Sequence, residues 1–186
     1  MDATFGLQPS KAKSWRLDVS DAALLIIDFQ QRLLPAIADF SRVLARAKAI
    51  TQAAALLEIP IIISEHVPAK LGYTVPELAG PHPCKLVEKN TFSAADVLPS
   101  LPSVVLVIGL ETHICVRQTV YDLHGAGKRI IVLADACGTR DPVNHTLALE
   151  EFRADKISIT STEAMCWECI PRAEGDLFRK MLAILK

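Results

Sequence analysis

No apolar run in this chain is long enough to cross a bilayer. Residues 22–27 and 104–108 are among the longest, far short of the roughly 18 needed. Nor is there an excess of positive charge: 20 Lys and Arg stand against 21 Asp and Glu, giving a net charge of -1 and an isoelectric point near 6.5. The chain therefore has no basic footprint for nucleic acid or an anionic membrane surface. Residues 1–19 carry Lys11, Lys13 and Arg16 but no apolar core, so no signal peptide is expected. Cysteines are few and odd in number (Cys84, Cys115, Cys137, Cys166, Cys169), which excludes a disulfide framework and fits reduced thiols in the cytoplasm. What remains is a chain of 186 residues, 51% hydrophobic and 22% charged, the profile of one globular domain. Its expected partners are small molecules and copies of itself.

The chain is organised around residues 103–117, SVVLVIGLETHICVR. An uninterrupted β-branched and leucine run is the pattern of a strand buried on both faces, as in parallel sheets flanked by helices. Similar runs at 22–29, 59–65, 129–135 and 157–160, with a shorter one at 85–89, alternate with helical spacing after each. Ser41 is expected to cap the helix that follows the first strand. A single helical turn is expected at 96–101, and helices over about 113–123, from Asp141 and Pro142 to about Arg153, from Thr162, and at the terminus with Leu177, Met181, Leu182 and Leu185. The fold predicted is α/β: three layers, with an about six-stranded, mostly parallel sheet and helices on both faces. One domain is expected over 1–186, with residues 1–19 as an irregular arm. The Pro- and Gly-rich loop over 66–84 is too long for a mere connector and is expected to shape a site.

Three predicted strand ends carry reactive groups: Asp28, Lys89 and Cys115. In a parallel sheet their carboxyl ends share one edge, where open α/β sheets bind ligands. A cysteine at a helix amino end is expected to be favoured as thiolate. Taken singly, each has a bland reading, as a capping carboxylate, an edge charge and an inert thiol.

The segments IIDFQ, VEKNTFS and GLETHICV, followed by RIIVLADACGTR, resemble the isochorismatase-like cysteine hydrolases, the family that includes nicotinamidases. The resemblance runs from about residue 22 to 165. It implies that the catalytic Asp, Lys and Cys fall on Asp28, Lys89 and Cys115, with a cis peptide between Leu110 and Glu111. It further implies attack of the thiolate on an acyl carbon of a small amide or related C–N bond. The backbone N–H groups of Glu111 and Cys115 are then the expected oxyanion holders, and Phe29, Phe92, Thr112, His113 and Arg117 the candidates to face substrate. The bland alternative leaves Arg117 and His113 on a helix surface and the phenylalanines in the core. Gln30 stands where haloacid-dehalogenase-like phosphatases need a second Asp, which sets phosphoryl transfer aside.

Nicotinamidases place metal ligands after the second strand. Here that region reads Ser64, Glu65, His66, with Lys70 nearby, an incomplete set even if His82 joins it. No metal and no cofactor are expected. Cys166 and Cys169 form a C-W-E-C spacing, read as core packing around Trp167 with a redox pair as the rival. A Cys115–Cys137 disulfide is a further speculative switch. Hydrolysis of an ester or ether, or a non-catalytic scaffold of the same fold, are the alternatives to amide hydrolysis. A homo-oligomer is expected from the high apolar content.

Overall fold

A computed structural model describes residues 17–80, 82–170 and 172–186 of the chain. The expected arm lies almost wholly outside the described residues; of it, Leu17 is buried and its N–H donates to Glu168 Oε1 at 2.8 Å.

Six strands form one sheet: β1 (Ala22–Ile27), β2 (Ile61–His66), β3 (Cys84–Lys89), β4 (Val104–Leu110), β5 (Arg129–Gly138) and β6 (Ser158–Thr160). Their order is β3-β2-β1-β4-β5-β6, and every pairing is parallel. The expected parallel architecture is thus met in full rather than mostly. β1 and β4 are buried at every residue, which explains their unbroken apolar runs.

Alternation along each strand sends side chains to two cores. Leu24, Ile26, Leu106 and Ile108 pack with α1 (Phe40–Leu56), α5 (Thr162–Glu168) and α6 (Gly175–Leu185). Leu25, Ile27, Val105 and Val107 pack with α3 (Arg117–Gly125) and α4 (Pro142–Ala154). Each fully buried Leu or Ile contributes about 1.5–3 kcal/mol from removal of apolar area from water. A short α2 (Pro68–Leu71) lies inside the loop after β2.

Several boundaries differ from the sequence reading for local reasons. β1 stops at Ile27 because Asp28 turns into the left-handed region with φ 55°. α1 begins at Phe40, behind a left-handed Asp39 whose carboxylate pairs with Arg42 at 2.8 Å, so Ser41 lies inside the helix and does not cap it. The turn expected at 96–101 is a 3₁₀ turn at Ala95–Val97. Asp141 caps α4 as expected, accepting from the Val143 N–H at 3.0 Å. In α6, Met181 is fully buried, but Leu177 is 37% exposed.

Candidate active site

At its carboxyl edge the sheet has a switch point. Chain from β1 leads to α1 on one face, and chain from β4 leads to α3 on the other, so a crevice opens between the two strand ends. Close approach of β4 to β1 makes the crevice narrow. A Cβ on Gly109 would stand 2.6 Å from Ile27 Cβ, 2.7 Å from Ile27 O and 2.9 Å from Val116 Cγ2, so only glycine fits.

Asp28, wholly buried, follows β1 and is held from three sides. Its N–H donates to Ser64 O at 3.0 Å, the Ser64 hydroxyl donates to Oδ1 at 2.9 Å, and Lys89 Nζ donates to Oδ2 at 2.6 Å. Lys89, the last residue of β3, also donates to the carbonyls of Phe92 at 2.9 Å and Thr91 at 3.3 Å. All three protons of the ammonium thus have acceptors. Cys115, 7% exposed, is the most open of the three, and its thiol interacts with both members of the ion pair.

Burial is the largest influence on both acids. It pushes the Asp28 carboxyl above the ordinary carboxylate value, with the charge and hydrogen bond of Lys89 pulling the other way. Burial, and next the Asp28 charge, push the Cys115 thiol up to about 12, with Lys89 opposing. The sequence reading expected a helix amino end to favour the thiolate. Instead, residues Thr112–Val116 form a π-helical turn, and α3 starts only at Arg117. Within this turn desolvation and the neighbouring carboxylate outweigh any dipole, so the resting sulfur is a thiol.

The peptide bond between Leu110 and Glu111 is cis. The Glu111 carboxylate accepts from the Arg140 N–H at 2.8 Å and Nε at 3.1 Å, so its side chain faces the chain after β5. Thr112 is fully buried, with its hydroxyl between Gly138 O at 3.1 Å and His145 Nδ1 at 2.9 Å. His113 is half-buried, with Nδ1 enclosed and unpartnered. Arg117 stands on the outer side of α3, paired with Glu151 and lying over the Tyr121 ring at 5.1 Å; this side lines a cavity of about 530 Å³ between α3 and α4. That cavity contains none of Asp28, Lys89 and Cys115, so its size is no guide to the chemistry. Phe29 lies wholly in the α1-side core. Phe92 is 51% exposed and stacks on His66, ring centroids 5.6 Å apart.

Four residues of the site were given no part in it by sequence reading. Ser64 holds Asp28. Gln30 clamps the loop after β2, donating to His66 O and Gly72 O and accepting from the His66 N–H. Thr119 donates to Cys115 O at 2.7 Å and accepts from the Ala94 N–H at 2.9 Å, joining the turn to the segment after Lys89. His145 lies on α4, 30 residues past the cysteine. A serine two residues before the end of a buried strand, opposite a buried carboxylate, was the one legible signal among them.

No group of three or more His, Cys, Asp and Glu gathers to hold a metal among the described residues. Cys137 is 2% exposed and directs its sulfur at Val107 O, 4.0 Å away. Cys166 and Cys169 are close enough to interact, and the Trp167 ring between them packs tilted against Phe178, centroids 5.4 Å apart at 38°.

The sequence pattern of the isochorismatase domain matches residues 22–164. The chain belongs to the isochorismatase family. Isochorismatase domain-containing protein 2B of Mus musculus is 31% identical over 184 residues, covering 95% of this chain and 87% of that protein. The isochorismatase-like fold also recurs in solved structures. MAR1 ribonuclease from Caenorhabditis elegans superposes with a TM-score of 0.86 at 26% identity, covering 91% of this chain and 92% of its own. YcaC from Pseudomonas aeruginosa, with hexane-2,5-diol and covalent acrylamide, gives 0.82 at 23% identity over 93% and 91%. The Escherichia coli YcaC gene product, described as an octameric hydrolase of unknown specificity, gives 0.82 at 19% over 93% and 90%. No helix among the described residues is long and apolar enough to cross a membrane.

Proposed function

We propose that this isochorismatase-family protein is a cysteine hydrolase of a small amide or related C–N bond, with Cys115 as nucleophile, Asp28 as acid and base, and Lys89 as electrostatic support. The observation that carries the reading is a thiol interacting with both members of a buried ion pair at the crevice of the sheet.

The chemistry follows from charge conservation. With Lys89 charged, the pocket is neutral when it holds one anion, and that anion resides on Asp28 in the resting state. Moving the thiol proton to Asp28 transfers the anion to sulfur without changing the net charge of a desolvated site, so the large Born penalty of a second anion is avoided. The thiolate attacks the acyl carbon and forms an S–C bond, while the N–H groups of Glu111 and Cys115 hold the oxyanion. As the C–N bond breaks, Asp28 gives its proton to the departing nitrogen and leaves a thioester. Asp28 then takes a proton from water, hydroxide attacks the thioester, and the S–C bond breaks to restore thiol and carboxylate. Phe92 and His66, at the rim, are placed in this reading as walls of the substrate channel, and His113 as a neighbour.

Support comes from a structural relative. The P. aeruginosa YcaC structure carries covalent acrylamide, an electrophile of the kind that nucleophilic side chains capture. The ribonuclease name of the C. elegans structure would ask for a basic track along a phosphodiester chain, which a net charge of -1 does not favour. A homo-oligomer in the cytoplasm is the setting proposed with this activity, in line with the octamer described for E. coli YcaC.

The test is a screen of small amides, matched esters and vinyl ethers against wild type and Cys115→Ala, with intact mass spectrometry for an acylated Cys115. Amide turnover lost in the variant and a mass increment on the wild type are expected. Equal turnover by Cys115→Ala would sink the reading.

A further inference from the structure

The turn that carries Cys115 is tied to the rest of the fold at Thr112, and the tie has a direction. A threonine hydroxyl has one proton to give. Gly138 O can only accept, so the Thr112 hydroxyl makes both of its contacts only if it donates to Gly138 O at 3.1 Å and accepts from His145 Nδ1–H at 2.9 Å. His145 is therefore assigned the Nδ1–H tautomer, with its Nε2 lone pair left over. The ring lines a cavity of about 230 Å³ among the start of α1, the end of β5 and the start of α4, where Arg42, Asp39 and Asp135 also stand. Burial and the Arg42 charge both push His145 below the ordinary imidazole value, which keeps the ring neutral near pH 7.

We infer that His145 is a positioning residue for Cys115: by donating Nδ1–H to Thr112 it fixes the π-helical turn so that the sulfur faces Asp28 and Lys89. Cys115 lies three residues beyond Thr112, and the two share a segment of only five residues. At its other end the turn is held by Thr119, which donates to Cys115 O. His145 from α4 and Thr119 from α3 thus hold the two ends of the nucleophile's segment. A positional error of about 1 Å at a nucleophile is enough to lose on the order of 10²-fold in rate. The inference rests on Cys115 being the nucleophile, but its test reads the thiol itself and needs no substrate.

The experiment is the rate of Cys115 alkylation by iodoacetamide at neutral pH, followed by intact mass and peptide mapping. In His145→Asn, the side-chain amide N–H reaches the place of Nδ1–H and is expected to stay within about twofold of wild type. In His145→Gln the polar group reaches instead toward the place of Nε2, and a rate at least threefold lower is expected. His145→Phe should match His145→Gln. In a Thr112→Val background, Asn and Gln at position 145 should become equal. Circular dichroism and a melting curve accompany each variant, and the Asn-against-Gln comparison holds even if the Phe variant fails to fold. Equal rates for folded His145→Asn and His145→Gln, or faster alkylation in the latter, would overturn the inference. If Cys115→Ala keeps amide turnover, the proposed function falls while this result on the thiol stands.

Discussion

At the scale of single residues, the proposed site depends on where one proton sits. Between the titrations of Asp28 and Cys115, the thiolate with a protonated Asp28 is a tautomer of the resting pair. Its fraction is set inside the pocket and not by the bulk. An ordinary exposed cysteine gains roughly tenfold in alkylation rate per pH unit below its pKa. Cys115 is instead expected to alkylate at a rate nearly independent of pH across the neutral range. Asp28→Asn removes the internal acceptor, so the level profile should give way to a rate that climbs about tenfold per pH unit toward the thiol's own titration, which moves below the native value of about 12 because the carboxylate charge that raised it is gone and Lys89 remains. A wild-type profile that rises tenfold per unit from pH 6 to pH 9 would contradict the internal transfer. The ion pair makes a second prediction. Lys89 and Asp28 are both enclosed, with side-chain exposures of 0% and 1%. Lys89→Ala leaves a buried carboxylate uncompensated and should destabilise by about 3–5 kcal/mol in urea denaturation, whereas Asp28→Asn with Lys89→Met should recover much of that.

At the scale of elements, the legible features were those written in periodicity. The runs at 22–27 and 104–110 are apolar at every position because both faces are covered, and that alone implied a parallel sheet with its reactive ends on one edge. Proline and aspartate at 141–142 signalled α4 correctly because capping is a local interaction. Features set by long-range contacts were not legible. Nothing local distinguishes a π-helical turn at Thr112–Val116 from an α-helix start, since it arises where α3 must leave a strand pressed against β1. Nor does spacing show that Arg117 is paired with Glu151, or that His145 reaches Thr112. Gly109 is the element-level control on this geometry. Gly109→Ala drives a methyl into Ile27 and Val116, where neither backbone carbonyl nor β-branched side chain can yield freely. A stability loss of at least about 1–3 kcal/mol is expected, together with slower alkylation of Cys115. A variant as stable as wild type would mean that β1 and β4 separate more easily than their packing implies.

For the molecule as a whole, four of the five cysteines are embedded in its packing, and this gives its stability a dependence on alkali. Burial first, with nearby acidic or thiol charges adding to it where they occur, pushes Cys115, Cys137, Cys166 and Cys169 each up to about 12 from the ordinary thiol value. Below pH 9 both folded and unfolded chains hold these protons, so the thiols contribute their full packing. Above pH 9 the unfolded chain releases them and the native chain does not. The native state then binds more protons, and unfolding free energy must fall as pH rises toward 12. For Cys137, which is 2% exposed, the limit is on the order of 4 kcal/mol at 1.36 kcal/mol per pH unit. The urea midpoint is therefore expected to be level from pH 7 to pH 8.5 and to decline steadily by pH 10.5. Cys137→Ala should start lower, because a packed sulfur is lost, and then decline less steeply, because one proton has left the balance. Parallel slopes for the two proteins would mean that the interior admits water to Cys137 well before it unfolds, contrary to its 2% exposure among the residues that pack with α3 and α4.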